Sequence, residues 1–303
     1  MKLAVVGSMN LDITLVVERM PVIGECMRSR EIVQAPGGKG ANQAVAAARS
    51  GAEVHIFGQV GNDPYAEFVK DNFRANGINI DGVLTDSKAA TGLAFIFVEG
   101  GDNRILLASG ANDTFSPEQV EDLGNQILAC DAVLLQNENR VETLARTISL
   151  CKGKMPIFLN PAPAMNYPEG LLDGVDYLTP NQSEYEYYTQ RQLESLEDLE
   201  TGLKVMQGMG VREPLVTLGT RGVAYLDAGK ARIVPGFTVD TVDSTGAGDT
   251  FSGCFAYRRM TGDDLPTAIR YAQAAAALAC TKLGAQAAIP TASEVLKFLE
   301  KNG

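Results

Sequence analysis

The stretch from Val54 to Gly77, VHIFGQVGNDPYAEFVKDNFRANG, decides the architecture. Its first seven residues read as a strand. Asp63-Pro64 then supplies a helix cap with proline at the first helical position, where a missing N–H costs nothing, and Gly77 ends the helix. Working outward, KLAVVG (2–7) reads as a buried strand, and Ala41 to Ser50 as an alanine-rich helix closed by Gly51. Further strands are AVLLQ (132–136), PIFLN (156–160), YLT (177–179) and PLVTLG (214–219). Helices between them open at Ser116-Pro117-Glu118-Gln119 and Ser195-Leu196-Glu197-Asp198, both resembling capping boxes. Strands spaced by helices predict βαβ units in an α/β fold: three layers, α/β/α, around a mainly parallel sheet.

Two segments break this rhythm. Residues 11–36 and 88–110 lack helical periodicity, and TGLAFIFVEGGDNRILLAS (91–109) reads as a hairpin around Gly100-Gly101-Asp102-Asn103. They predict a small antiparallel β lid inserted in one domain spanning residues 1–303. The apolar lid residues Leu93, Phe95, Phe97, Ile105 and Leu107 could pack within the chain or on a partner's lid.

The chain has 303 residues, long enough to bury a core without disulfides or metals. With 45% apolar and 21% charged residues its composition is that of a globular protein. A net charge of −11 lacks the footprint of a nucleic-acid or anionic-membrane binder. The N-terminal apolar run is too short for a signal peptide and no stretch could span a bilayer, so a cytoplasmic protein is expected. Five cysteines without a CxxC pair fit buried thiols in a reducing compartment. The single histidine, His55, lies in a predicted strand; it excludes a two-histidine zinc motif, and no GxSxG elbow accompanies it.

Two glycine-rich turns carry the chemistry. In PGGKGANQA (36–44) the glycines let backbone approach a ligand, Lys39 adds positive charge and Asn42 can donate or accept. In VDSTGAGDTFSG (242–253) the turn Gly246-Ala247-Gly248 opens a helix whose N–H groups could hold an anion. Asp249 stands at the same place. As a helix cap it would be unremarkable; beside an anion site it would be placed to take a hydroxyl proton during phosphoryl transfer. There is no GxxxxGK[ST] loop, and Phe251 occupies the position of a third dinucleotide-fingerprint glycine, which disfavours a dehydrogenase.

GGKGANQA and DSTGAGDTF, with TPNQSE (179–184) and TLGTRG (217–222) in order between them, resemble the signatures of the ribokinase-type carbohydrate kinase family. The resemblance covers essentially the whole chain, and Asn10-Leu11-Asp12 points to its ribokinase branch. It implies ATP-dependent phosphorylation of the 5-hydroxyl of D-ribose. Variants on the same machinery would take 2-deoxyribose, another pentose, fructose or a nucleoside, and a non-catalytic sugar or nucleotide sensor is the alternative of a different class. By resemblance the sugar site comprises Asn10, Asp12, Gly38, Lys39, Gly40, Asn42 and Glu138, with Asp12 reading a vicinal diol. Asp249 is the implied base, and Gly246, Ala247 and Gly248 the implied anion hole. The nucleotide side follows as Asn181, Thr217, Leu218, Gly219, Thr220, Arg221, Gly222, Gly248, Asp249 and Gln273. Asn181 and Glu184 would work with magnesium, although Glu184 also fits a solvated charge in an acidic run. An activating potassium ion would sit by Asp243, Thr245, Ala279, Lys282, Gly284 and Ala288, the last a departure because a hydroxyl residue is common there. A homodimer through the lid is the family's expectation.

Overall fold

The first strand, β1 (Lys2–Val6), alternates Leu3 and Val5 toward one face with Ala4 and Val6 toward the other, and all four are buried. A strand covered on both faces needs this unbroken apolar run. The computed structural model describes residues 1–100 and 102–302. The remaining strands are β2 (Asn10–Val17), β3 (Glu31–Gly37), β4 (Glu53–Gly61), β5 (Asn79–Asp86), β6 (Gly92–Glu99), β7 (Asp102–Ala108), β8 (Ala132–Gln136), β9 (Ile157–Asn160), β10 (Tyr177–Leu178), β11 (Glu213–Thr217), β12 (Val223–Asp227) and β13 (Lys230–Val234). The helices are α1 (Lys39–Ser50), α2 (Pro64–Ala75), α3 (Pro117–Asp122), α4 (Gly124–Leu128), α5 (Val141–Cys151), α6 (Gln182–Thr189), α7 (Leu196–Gly208), α8 (Ala247–Met260), α9 (Leu265–Ala279), α10 (Ala285–Ala288) and α11 (Ala292–Asn302).

The large sheet runs β13-β12-β11-β10-β9-β8-β1-β4-β5. It is parallel from β11 to β5, and β12 and β13 close one edge antiparallel. One face packs on α1, α2, α8 and α9 through residues such as Val45, Phe73, Phe251 and Ala272. The other packs on α3 to α7 through Val120, Ile127, Ile148, Tyr185 and Leu203. This is the expected three-layer α/β/α arrangement.

Local signals act as read. Asp63 accepts the Ala66 N–H ahead of α2, and Ser116 and Ser195 complete capping boxes with Gln119 and Asp198. Helix α1 begins two residues earlier than its alanine run, at Lys39, because Gly38 turns at φ 91°. Strand order reverses at β1, which lies between β4 and β8. In open α/β sheets ligands bind beyond the carboxyl ends of the strands at such a switch point.

The two irregular segments form the four-stranded sheet β3-β2-β6-β7. Its outer pairs are antiparallel, while the central pair β2·β6 runs parallel because each strand enters from the large sheet's side. Gly101, at the expected hairpin tip, lies outside the described residues. Ile105 and Leu107 are exposed, whereas Leu93, Phe95 and Phe97 are partly covered. The expectation of five buried thiols needs correcting: Cys26 is exposed between β2 and β3, and Cys280 is half-buried. No described helix is long and apolar enough to cross a membrane.

Candidate active site

The chain leaves β1 at Gly7 and enters β2 with Asn10 and Asp12 over the sheet's carboxyl end. Asn112 fixes this crossing: it accepts the Met9 N–H at 2.9 Å and donates to Asn10 Oδ1 at 2.8 Å. Asp12 has no hydrogen-bond partner among the described residues, and Gly37 beside it leaves the room its carboxylate occupies. Burial pushes the Asp12 carboxyl up to about 7, with the charges of Glu138 and Asp249 adding to the effect. An unpartnered carboxylate of this kind is built to accept hydrogen bonds from arriving hydroxyls.

The turn before α1 lies against β1. A Cβ at Gly40 would stand 2.6 Å from the Gly7 carbonyl carbon, so only glycine permits the approach. Glu138, just past β8, accepts from Ser8 Oγ at 2.6 Å and from the Lys39 N–H at 2.9 Å. Ser8 Oγ in turn receives the Gly40 N–H at 3.2 Å. One Glu138 oxygen therefore holds the turn in place. The Asp249 carboxylate, with smaller help from Glu138 and Glu184 and against the cost of burial, raises the Lys39 ammonium above its ordinary value.

Asp249 is not the cap of α8. Gly246 is, at φ 75°, and Asp249 is the third helical residue, buried, with no capping bond. Its two oxygens accept from Asn42 Nδ2 at 2.9 Å and Gln43 Nε2 at 3.0 Å. It lines a polar cavity of about 220 Å³ together with Lys39, Asn160, Thr179, Asn181, Glu184, Gly246 and Gly248. An apolar cavity of about 280 Å³ adjoins it, lined by Thr217, Gly219, Thr220, Gly222, Phe237, Ala247, Gln273 and others. The two share Thr217, Ser244 and Gly248. Leu218 instead turns into the core and Arg221 donates to Gln182 Oε1 at 2.6 Å, so neither lines these cavities. Gln273 donates to the Val234 carbonyl, and its Oε1 has no partner among the described residues.

The solvated reading of Glu184 fails. Asn181 caps α6 and forms a reciprocal capping box with Glu184, which draws that carboxylate into the cavity wall. Burial holds its carboxyl above the ordinary value, against the Asn181 N–H and the Lys39 charge. Carboxylate and amide oxygens of this type suit a partly hydrated magnesium ion.

Ahead of the Gly246-Ala247-Gly248 turn, Asp243 accepts from Thr245 N and Oγ1 at 2.9 and 2.7 Å and from Gly284 N at 2.9 Å. Burial alone would raise its carboxyl, but these bonds outweigh burial and hold it below the ordinary value. Among the described residues no cationic side chain pairs with it, and Lys282 is engaged by Glu294 at 3.1 Å. A carboxylate with no cationic partner is chemically suited to help hold a monovalent cation. Ala279 closes α9, and its carbonyl receives the Lys282 N–H at 3.2 Å. Ala288 is buried at the end of α10 and brings no side-chain oxygen.

Comparison with known proteins identifies the family. The profile of the pfkB family carbohydrate kinases matches residues 1–292. The chain belongs to the pfkB family of carbohydrate kinases. A ribokinase of Haemophilus influenzae is 39% identical over 300 residues, covering 98% of each chain. The crystal structure of a Thermotoga maritima ribokinase superposes with a TM-score of 0.91 at 35% identity, over 98% of this chain and 99% of that one. An Arabidopsis thaliana ribokinase complexed with ribose and ATP also reaches 0.91, at 31% identity over 98% of both. As a pfkB carbohydrate kinase the chain is an enzyme, which sets aside the sensor and dehydrogenase readings.

The kinase site contains residues that sequence motifs did not single out: Ser8, Gln43, Asn112, Asn160, Thr179, Ser244 and Phe237. Gln43, Thr179 and Ser244 stand inside GGKGANQA, TPNQSE and DSTGAGDTF, so their motifs were in view while their roles were not. Asn160 ends a predicted strand, at the carboxyl edge where such sheets bind ligands. Ser8, Asn112 and Phe237 carried no local signal.

Proposed function

We propose that this kinase transfers the γ-phosphoryl group of ATP to the 5-hydroxyl of D-ribose, giving D-ribose 5-phosphate and ADP. The observation that supports it best is the position of Asp249, where the polar cavity, the sugar-side turn and the first turn of α8 meet. In the reaction the sugar oxygen forms a bond to the γ-phosphorus and the bond to the β–γ bridging oxygen breaks. Asp249 takes the hydroxyl proton, and the N–H groups of Gly246, Ala247 and Gly248 meet the charge on the transferring group. Asp12, unpartnered and facing the same end, accepts hydrogen bonds from two adjacent sugar hydroxyls, with Asn10 and Asn42 beside it. The nucleotide base enters the apolar cavity between Phe237, Gly222 and Gln273, and the phosphates run past Thr217 and Ser244 toward Lys39.

Magnesium, held through water near Glu184 and Asn181, would neutralise phosphate charge. A potassium ion would lie by Asp243 and the carbonyls of the 279–288 segment and order the anion turn. Exposed Ile32, Val33, Ile105, Leu106 and Leu107 on the lid suit a second copy of the chain. Five free thiols fit a reducing cytoplasm.

The test is ADP release from purified protein with ATP, magnesium and potassium, across ribose, 2-deoxyribose, fructose and adenosine as acceptors. Ribose should give the highest kcat/KM. A preference for another acceptor would replace ribose while leaving the kinase reading intact.

A further inference from the structure

The carboxylate of Asp249 is the end point of two chains of side-chain amides. One runs from Asn72 Nδ2 to Gln286 Oε1 at 2.6 Å, then from Gln286 Nε2 to Asn42 Oδ1 at 2.9 Å, then from Asn42 Nδ2 to Asp249 at 2.9 Å. The other runs from Gln136 Nε2 to Gln43 Oε1 at 2.8 Å and from Gln43 Nε2 to Asp249 at 3.0 Å. Gln43 Nε2 also reaches Asn160 Oδ1 at 3.1 Å, and Asn160 donates to the Thr179 carbonyl at 2.9 Å. Asn42, Gln43, Gln136, Asn160 and Gln286 are all buried.

Chemistry sets the direction of both chains. An ionised carboxylate only accepts, so Asn42 and Gln43 must turn their NH₂ groups toward it. Their oxygens then face away, and each requires a donor behind it. Gln286 and Gln136 supply those donors. Reversing any amide would set two like groups against each other.

Gln286 belongs to α10, between Gly284 and Ala288, and its carbonyl also accepts from Arg49 at 2.8 Å. The segment assigned to the activating cation is therefore joined to the base by two hydrogen bonds through one side chain.

We propose that Gln286 is a positioning residue of the kinase: it fixes the orientation of the Asn42 amide and through it aims the Asp249 carboxylate. Its kinetic consequence rests on Asp249 being the base, whereas the polarity of the chain does not. Two experiments separate these.

The first is a cycle of thermal melts on the full-length protein. Gln286→Glu presents only acceptors, so Asn42 must reverse and set its oxygen against Asp249. Asp249→Asn must turn its new NH₂ group toward one of the two donors, Asn42 or Gln43. Each single variant should lower Tm by about 2 °C or more. In the double variant the groups match again. The amide at position 249 then donates to the reversed Asn42 and accepts from Gln43, while Asn42 donates to the carboxylate at position 286. The double variant should therefore melt above the lower of the two singles, and additive losses would overturn the polarised chain.

The second is kinetic. Gln286→Met keeps side-chain length and removes the donor. It should lower kcat about tenfold or more with the KM for sugar and ATP within about twofold, the split expected when only the transition state is affected. In the Asp249→Asn background the same change should cost nothing further. A further tenfold loss there would overturn the positioning role, and so would an unchanged kcat for Gln286→Met alone. If Asp249→Asn itself kept full kcat, the base assignment would fall, and the melts would still decide the chain's polarity.

Discussion

With Asp12 as the proposed reader of the sugar diol, sugar binding becomes a titration. Its carboxyl stands at about 7 rather than the ordinary 3.8, raised by burial first and then by Glu138 and Asp249. Only the ionised form accepts through both carboxylate oxygens, so the free protein must lose a proton to bind the sugar diol in this way below that pH. Sugar affinity should be constant above about pH 8 and weaken about tenfold per pH unit below pH 7. Near pH 7 binding should release about half a proton. Calorimetry with sugar alone, from pH 5.5 to 8.5 in buffers of different ionisation enthalpy, measures both without involving catalysis. Asp12→Asn should bind weakly at every pH and release no proton there. The same carboxyl has an opposite signature in stability. Because its folded value is raised, the free protein pays an increasing cost as pH climbs from 3.8 to 7, complete above 7. Asp12→Asn should thus stabilise the fold at pH 8, by an amount bounded at about 4 kcal/mol and read as a higher Tm, and leave Tm nearly unchanged at pH 4. Flat affinity from pH 5.5 to 8.5, or a pH limb that survives in Asp12→Asn, would refute the assignment.

Asp249→Asn should lower kcat by about 10²–10⁴ with a smaller change in KM, read by steady-state ADP production. Potassium should raise activity more than sodium at equal ionic strength, and Ala288→Ser should tighten the apparent potassium affinity; equal rates in both salts for both proteins would remove the ion from the mechanism. Changing Ile105 and Leu107 together to Asp should shift the protein to monomer in sedimentation if the lid pairs two copies, and an unchanged mass would exclude that face.

Strands, caps and the two glycine-rich turns were legible because each depends on neighbours within a few residues. Asp63-Pro64 caps α2 wherever α2 lies. The reading of Asp249 as a possible cap failed for a local reason as well: with Gly246 turning at positive φ, the cap falls three residues earlier. Glu184 reads as solvated from its acidic neighbours, yet the reciprocal bond with Asn181 turns it inward. Longer-range partners left no trace in the motifs. Gln43 meets Asp249 across 206 positions and Asn42 meets Gln286 across 244, and nothing in the spacing of amides along a chain announces such pairs. The parallel pairing of β2 with β6 was hidden similarly, since alternation shows a strand and not its neighbour. Cys26 escaped because a cysteine's habit of burial says little within an irregular segment.

Asp12 and Asp249 sit on different layers. Asp12 rides on β2, a strand of the small lid sheet between β3 and β6, while Asp249 is buried in α8. Helix α8 meets α1 so closely that a side chain at Gly253 would strike the backbone of Gln43. On the proposed assignment, the part that recognises the acceptor and the part that performs the transfer should tolerate mutation to different degrees. Substitutions in the lid should then change which sugar is accepted while the α1–α8 contact keeps the chemistry intact. For an engineer this makes β2, β3 and β6 the place to search for new acceptors, and the α1–α8 seam the place to leave untouched.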